Sequence, residues 1–376
     1  MKRATKIAAI AAAAVLLFTA CGQAPTTAEP TATPDATEAA TPAPDATDAP
    51  GGTAVEGFLP CIISDGGGFN DRSFNQSGLE GLQKAAAQLG VNYIQLQSQS
   101  DADFAPNIQS AIDQGCNFVV TIGFQLASAT EEAAAANPDI HFAIVDNDSS
   151  AANLPNLKSL VFNTAEAAFL AGYLSAGMSQ TGVIGTFGGM NFPTVSVFMD
   201  GFAQGADHYN EVHGTSVRVV GWDRAAQDGS FTGGFQANEQ ARQTAQTIID
   251  QNVDVLLPVG GPIYQSAMAA INDSGRDILL LGVDQDFFFS DPTTADILLT
   301  SVLKDIVVAV SEATIVAGTG GFAPTTYIGT LENGGVGIAP FHNLADRVPA
   351  DLAAEIEQLK ADIIAGNLTV ESYLKP

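Results

Sequence analysis

Between residues 58 and 284, short β-branched runs alternate with amphipathic stretches, and the whole pattern occurs twice. FLPCIISD, NYIQLQS, FVVTIG and HFAIVD read as strands, being short, rich in Val, Ile and Phe, and bounded by turn residues. Apolar residues at helical spacing place helices near 77–89, 104–114 and 126–136, closed by Gly90, Gly115 and Asn137-Pro138. The unit returns in TGVIGTFGG, SVRVVGW, VDVLLPVGG and ILLLGVD, with helices near 195–210, 239–251 and 263–274. Strands joined through helices form parallel sheets covered on both faces. Two doubly wound α/β lobes are therefore expected.

The strand ends carry the polar punctuation: Asp65, Gly123 and Asp146 in the first half, Gly188, Gly260 and Asp284 in the second. Ligands of open α/β sheets sit beyond the carboxyl ends of the strands. Two such sheets face to face therefore make one interlobe cleft. That is the type I periplasmic-binding-protein fold, in which the chain crosses between lobes three times. The crossings are expected near Phe162, Asp284 and Gly320. Lobe 1 then comprises 57–162 with 285–320, and lobe 2 comprises 163–284 with 321–376. Binding is expected to close the lobes about these crossings.

Ahead of the lobes, Lys2, Arg3 and Lys6 precede the apolar run AAIAAAAVLLF and then Thr19, Ala20 and Cys21. This is the layout of a signal peptide over 1–20, too short for the roughly 20 apolar residues of a spanning helix. FTAC resembles the lipobox of bacterial lipoproteins, which implies that Cys21 is diacylated and becomes the first mature residue. Residues 21–56 follow as an acidic tract of Ala, Thr and Pro without Lys, Arg or an aromatic side chain. Such a tract cannot bury enough apolar surface to fold and is read as a disordered tether.

The formal net charge of −27 and pI of about 4.1 oppose binding of nucleic acid, a polyanion. Enzyme motifs are missing too: there is no G-x-S-x-G elbow, no P-loop, and Gly66, Gly67 and Gly68 do not spell the dinucleotide fingerprint. His208 and His213 stand five apart, off the i, i+4 spacing of helical metal ligands, and are read as solvated. No metal, cofactor or catalytic activity is expected. A nucleoside hydrolase is the enzyme alternative, though it would want a clustered set of Asp residues around calcium.

Five strings in one order carry a family resemblance: SDGGGFNDRSFNQSGLEGL, VFNTAEAAFLAGYLS, GVIGTFGGM, GVDQD and TSVLK. Together they resemble the basic membrane protein family, over residues 58 to about 320. The resemblance implies an extracytoplasmic solute-binding lipoprotein that delivers a purine nucleoside to an ABC transporter permease, lipid-anchored at the cell membrane. A sugar-binding or signal-sensing receptor of the same fold is the alternative. A monomer is expected.

By this resemblance Asn70, Asp71, Phe74 and Asn75 fall on the ligand loop. Amide and carboxylate suit a base edge and Phe74 a stacking face, while the bland reading is a capped helix start with one core Phe. Asp284 or Asp286 is suited to two vicinal hydroxyls, and Lys304, one of only 14 cationic residues, follows an apolar run where a buried cation needs a partner. In the family the matching Lys reaches the sugar beside that Asp. Either Asp146 or Asp148 is expected to read the base, and Gly260 ends a cleft-facing strand. Trp222, Phe231 and Phe235 compete for the second stacking role, with Phe235 aligning best.

Cys61 lies on the first strand and Cys116 just before the third, which neighbour each other in a 2-1-3 strand order. In an exported protein this predicts a Cys61–Cys116 disulfide, against two buried free thiols.

Overall fold

A computed structural model describes residues 53–372. The signal peptide, Cys21 and most of the tether lie outside those residues. The first sheet begins with β1 (Pro60–Ser64), β2 (Ile94–Gln97), β3 (Phe118–Ile122), β4 (His141–Val145) and β5 (Leu157–Phe162). Among them run α1 (Phe74–Leu89), α2 (Phe104–Asp113) and α3 (Ala127–Ala136). α4 (Thr164–Met178) opens the second lobe, followed by β6 (Val183–Gly188), α5 (Pro193–His213) and β7 (Arg218–Val220). A small hairpin, β8 (Trp222–Asp223) with β9 (Asp228–Gly229), precedes α6 (Glu239–Ile249), β10 (Val255–Val259), α7 (Ile263–Ser274) and β11 (Leu279–Asp284). The chain ends through α8 (Phe287–Ser290), β12 (Leu298–Lys304), α9 (Ile306–Gly318), β13 (Tyr327–Gly329), β14 (Val336–Ile338) and α10 (Ala350–Ile364). Among the described residues no helix is long and apolar enough to cross a membrane.

One sheet has the order β13-β5-β4-β3-β1-β2 and the other β14-β12-β11-β10-β6-β7, all parallel except the β12–β14 pair. The order reverses at β1/β3 in the first sheet and at β6/β10 in the second. These switch points are where doubly wound sheets open a crevice for ligands. The inner strands are buried along their whole length, which is why β1, β3, β10 and β11 are continuous apolar runs rather than alternating ones.

Two of the three expected crossings are corrected. The first lies at Phe162, where β5 ends and α4 begins in the second lobe. The second lies after Lys304, not at Asp284, because β12 pairs with β11 in the second sheet before α9 packs on α1 of the first lobe. The third lies after Gly329, not at Gly320, because β13 pairs with β5 in the first sheet before β14 joins β12. Residues 285–304 thus go with the second sheet, and 321–329 with the first. LLTSVLK is buried on both faces, so its sequence pattern does not distinguish one sheet from the other.

α4 is apolar all round because 13 of its 15 residues are buried between α5 and the second sheet. Glycines set its closeness to α5. A Cβ at Gly172 would sit 1.9 Å from the Phe202 carbonyl oxygen, and one at Gly205 2.0 Å from that of Phe169. Cys61 and Cys116 are joined as a disulfide with Cα atoms 6.0 Å apart, tying β1 to the approach to β3.

Candidate ligand-binding site

At the two switch points the lobes form a cleft that is partly open to solvent. The first lobe supplies the loop after β1. Asp71 turns its carboxylate back onto the start of α1, where Oδ1 accepts from the Ser73 and Gln76 amides and Oδ2 from the Asn75 amide. This satisfies the orphan donors of a helix start. The Asn75 side chain is equally engaged: Oδ1 accepts from the Asp65 amide, while Nδ2 donates to Asp65 Oδ1 at 2.8 Å and Asp71 Oδ2 at 3.1 Å. Asp71 and Asn75 line the cleft, but their hydrogen-bonding capacity is largely spent on the loop itself. Asn70 is exposed and outside the lining, a correction to its expected place. Asp71 is buried beside it, and Arg72 takes the left-handed region at φ 55°.

Asp65, not among the expected ligand residues, lies in the lining beside them. Burial pushes its carboxyl up to about 6; Asp71 and Asp146 add to this, while the Gly67 amide and Asn75 oppose it. Burial likewise holds Asp71 above the ordinary carboxylate value despite its amide donors.

At the other end of the cleft Lys304, the last residue of β12, is buried between two carboxylates. Its Nζ is 2.6 Å from Asp146 Oδ2 and 3.5 Å from Asp284 Oδ1. Burial works to lower its pKa, and Asp146 and Asp284 overcome that, so the ammonium is held above its ordinary value. Burial raises Asp146 against the pull of Lys304. The ammonium also sits over the rings of Phe74 at 4.9 Å, Phe198 at 5.3 Å and Phe162 at 5.7 Å. Asp146 and Asp284 both take φ near +65°, a left-handed turn at the strand end that aims each carboxylate into the cleft. Ser73 Oγ donates to Asp284 Oδ2 at 2.8 Å across the lobes. Asp284 Oδ1, although in ion-pair range of Lys304, is buried with no hydrogen-bond donor.

The alternatives left open by sequence separate cleanly. Asp146 lines the cleft, whereas Asp148 is exposed and accepts from the Ser150 amide. Asp284 lines it, whereas Asp286 caps α8 and pairs with His342 Nε2 at 2.7 Å. Phe235 lines it; Trp222 is buried with its indole on Asp200, and Phe231 packs edge-on against Trp222. Gly260, at φ 133°, and Gly189 leave room for the Phe235 ring, since a Cβ on either would come within 2.7 Å of it. Phe124 and Phe192 extend this aromatic wall, with centroids 6.2 Å apart and 6.1 Å from Phe192 to Phe235. They follow the strand-end Gly123 and precede the helix-opening Pro193, which are the signals that would have found them. Of the histidines read as solvated, His213 is exposed, with hydrogen bonds to Tyr173 and Glu355, whereas His208 is half-buried against Phe169 and Tyr173. Among the described residues no group of His, Cys, Asp and Glu is arranged to hold a metal ion.

Residues 61–371 match the family described as ABC transporter substrate-binding protein PnrA-like. The chain belongs to this family. It is therefore a substrate-binding component of the ABC transporter type. It is 30% identical, over 83% of its own length and 88% of the relative's, to the ABC transporter nucleoside-binding protein BmpA of Lactococcus lactis subsp. cremoris. Basic membrane protein A of Borreliella burgdorferi is 28% identical, over 84% of this chain and 89% of its own. The crystal structure of an ABC transporter solute-binding protein from Aeropyrum pernix K1 superposes with a TM-score of 0.74 at 24% identity, covering 85% of this chain and 94% of that one. This likeness concerns the fold, which is the type I periplasmic-binding-protein fold read from the strand pattern.

Proposed function

We propose that the cleft captures a purine nucleoside for delivery to an ABC permease, with the base between Phe74 and Phe235 and the ribose at Asp284 and Lys304, joined by Asp146, which the sequence assigned to the base and which its ion pair with Lys304 ties to the ribose end instead. The observation that carries this reading is Asp284 in the cleft wall, whose buried Oδ1 faces only Lys304 Nζ at 3.5 Å and accepts no hydrogen bond. A hydroxyl donating to this carboxylate would add a charge-assisted hydrogen bond, about 1.5–3 kcal/mol. Each aromatic face contributes about 1–3 kcal/mol of stacking toward the roughly 8 kcal/mol of a micromolar complex. The name of the Lactococcus relative supports the same reading.

Stacking alone does not reject a free base; the hydroxyl-binding acceptors do, because a ligand without hydroxyls leaves them unpaired. Calorimetry should rank guanosine, inosine or adenosine at least tenfold above the free base and above the 2′-deoxy form. Asp284→Ala and Phe74→Ala should each weaken binding at least tenfold. Binding of a pentose or hexose with no nucleoside binding would overturn the ligand while leaving the fold intact.

The same proposal has the mature protein lipid-anchored through Cys21 on the extracytoplasmic face, acting as a monomeric carrier rather than a catalyst. Cys21→Ser should abolish lipid labelling and release the protein or stall its processing. Labelling of the variant at wild-type levels would refute the anchor.

A further inference from the structure

The binding cleft does not end at the Lys304–Asp146 pair. Beyond it lies a second compartment, partly open to solvent. The two compartments share Phe124, Asp146, Thr194 and Lys304, so the ion pair stands on the wall between them. Phe74, Phe235 and Gly260 take no part in the second compartment, while Phe124 of the aromatic wall borders both, and the junction runs past Lys304 and Asp146. It therefore adjoins the end assigned to the sugar.

Nucleoside chemistry says which atom would face it. C1′ carries the base, and the hydroxyls on C2′ and C3′ are the groups given to Asp284. The 5′ carbon is the only position on the ribose left free to carry a substituent. We propose that this compartment is a 5′-substituent subsite that accepts an uncharged, largely apolar group on a purine nucleoside and excludes a phosphate. The proposal rests on the nucleoside reading and specifies its substrate class.

Composition decides the class of substituent. Val161, Phe162 and Val197 form an apolar wall, each at most 6% exposed, against which a short alkyl chain would bury surface. The charged groups of the lining are Asp146, Asp148 and Lys304. Lys304 is already shared between Asp146 and Asp284, and Asp148 stands exposed without an ion-pair partner among the described residues. A phosphate entering here would meet one more carboxylate than cation and would have to draw Lys304 from two acids. Like charges in a partly desolvated site are strongly unfavourable.

The test is calorimetry of the purified protein with adenosine, 5′-deoxy-5′-methylthioadenosine and adenosine 5′-monophosphate. The methylthio compound should bind within about threefold of adenosine or more tightly, and the monophosphate at least a hundredfold more weakly. Asn147→Trp places a large ring in the compartment from a half-buried position outside the first cleft. It should weaken the methylthio compound at least tenfold and leave adenosine unchanged, which also shows that the variant is folded. A tenfold loss for the methylthio compound on the wild type, or a monophosphate that binds as well as adenosine, would overturn the subsite. So would an Asn147→Trp variant that weakens both nucleosides alike. If adenosine and the other purine nucleosides all fail to bind the wild type, the ligand reading itself falls and takes the subsite with it.

Discussion

Asp65 carries a carboxylate into the cleft wall, where burial lifts its pKa from 3.8 to about 6. A folded-state pKa above the unfolded one means the folded protein holds the proton more tightly. The resulting stabilisation is complete below about pH 3.8 and is lost as pH rises through about 6. The interval corresponds to up to roughly 3 kcal/mol. Asp65→Asn removes the charge and keeps the shape, so its stability relative to wild type should rise between pH 4 and pH 7 by up to that amount. Urea midpoints of both proteins across that range read the difference, and a pH-independent offset would contradict it. Residue roles were legible here only in part. That one of Asp284 and Asp286, and one of Asp146 and Asp148, enters the cleft followed from strand-end position. Which one does is fixed by backbone φ at a single residue, and that is not written in residue type. Asn70 shows the same limit, being exposed while its neighbour Asp71 is buried.

At the scale of elements, the parallel β1–β3 pairing brings Cys61 within reach of Cys116. The bridge closes a loop of 55 residues, and the chain-entropy description gives it about 4 kcal/mol. The Cys61→Ala/Cys116→Ala double variant should lower the unfolding free energy by roughly 3–4 kcal/mol in urea titration, less any native strain. Wild-type protein denatured without reductant should show neither of these thiols on titration. Strands and amphipathic helices were the most legible elements because their apolar periods are local. α4 escaped for a physical reason: a helix buried all round has no polar face and so no period to read.

Across the whole molecule, several contacts join the lobes in a closed arrangement. Arg72 of the first lobe reaches Asp291 of the second at 2.8 Å, and Asp291, 3% exposed, also accepts from Tyr264 Oη at 2.7 Å. Gln236 reaches the Gly66 carbonyl, and Gln285 donates to Ser77. Removing one partner of a buried carboxylate is costly, but Arg72 is half exposed, so about 1–2 kcal/mol is the reasonable scale. Arg72→Ala should therefore speed release of a bound nucleoside roughly five- to thirtyfold with little change in association rate. Small-angle scattering of the ligand-free variant should also show a larger radius of gyration than wild type. Unchanged release and scattering would mean the ion pair is incidental to closure.

The sequence by itself determined two parallel α/β lobes, the strand ends as the face where a cleft opens, the helix-starting loop after β1, and a buried cation at Lys304 in need of a partner. These follow from periodicity, turn chemistry and the rarity of a cation after an apolar run, all of which act over a few neighbouring residues. Tertiary structure alone decided that β12 extends the second sheet and β13 the first, because a strand buried on both faces fits either. It also decided that Phe124 and Phe192 wall the cleft and that one oxygen of Asp284 is left without a donor. Those facts depend on how two distant segments meet, and no local pattern records a meeting.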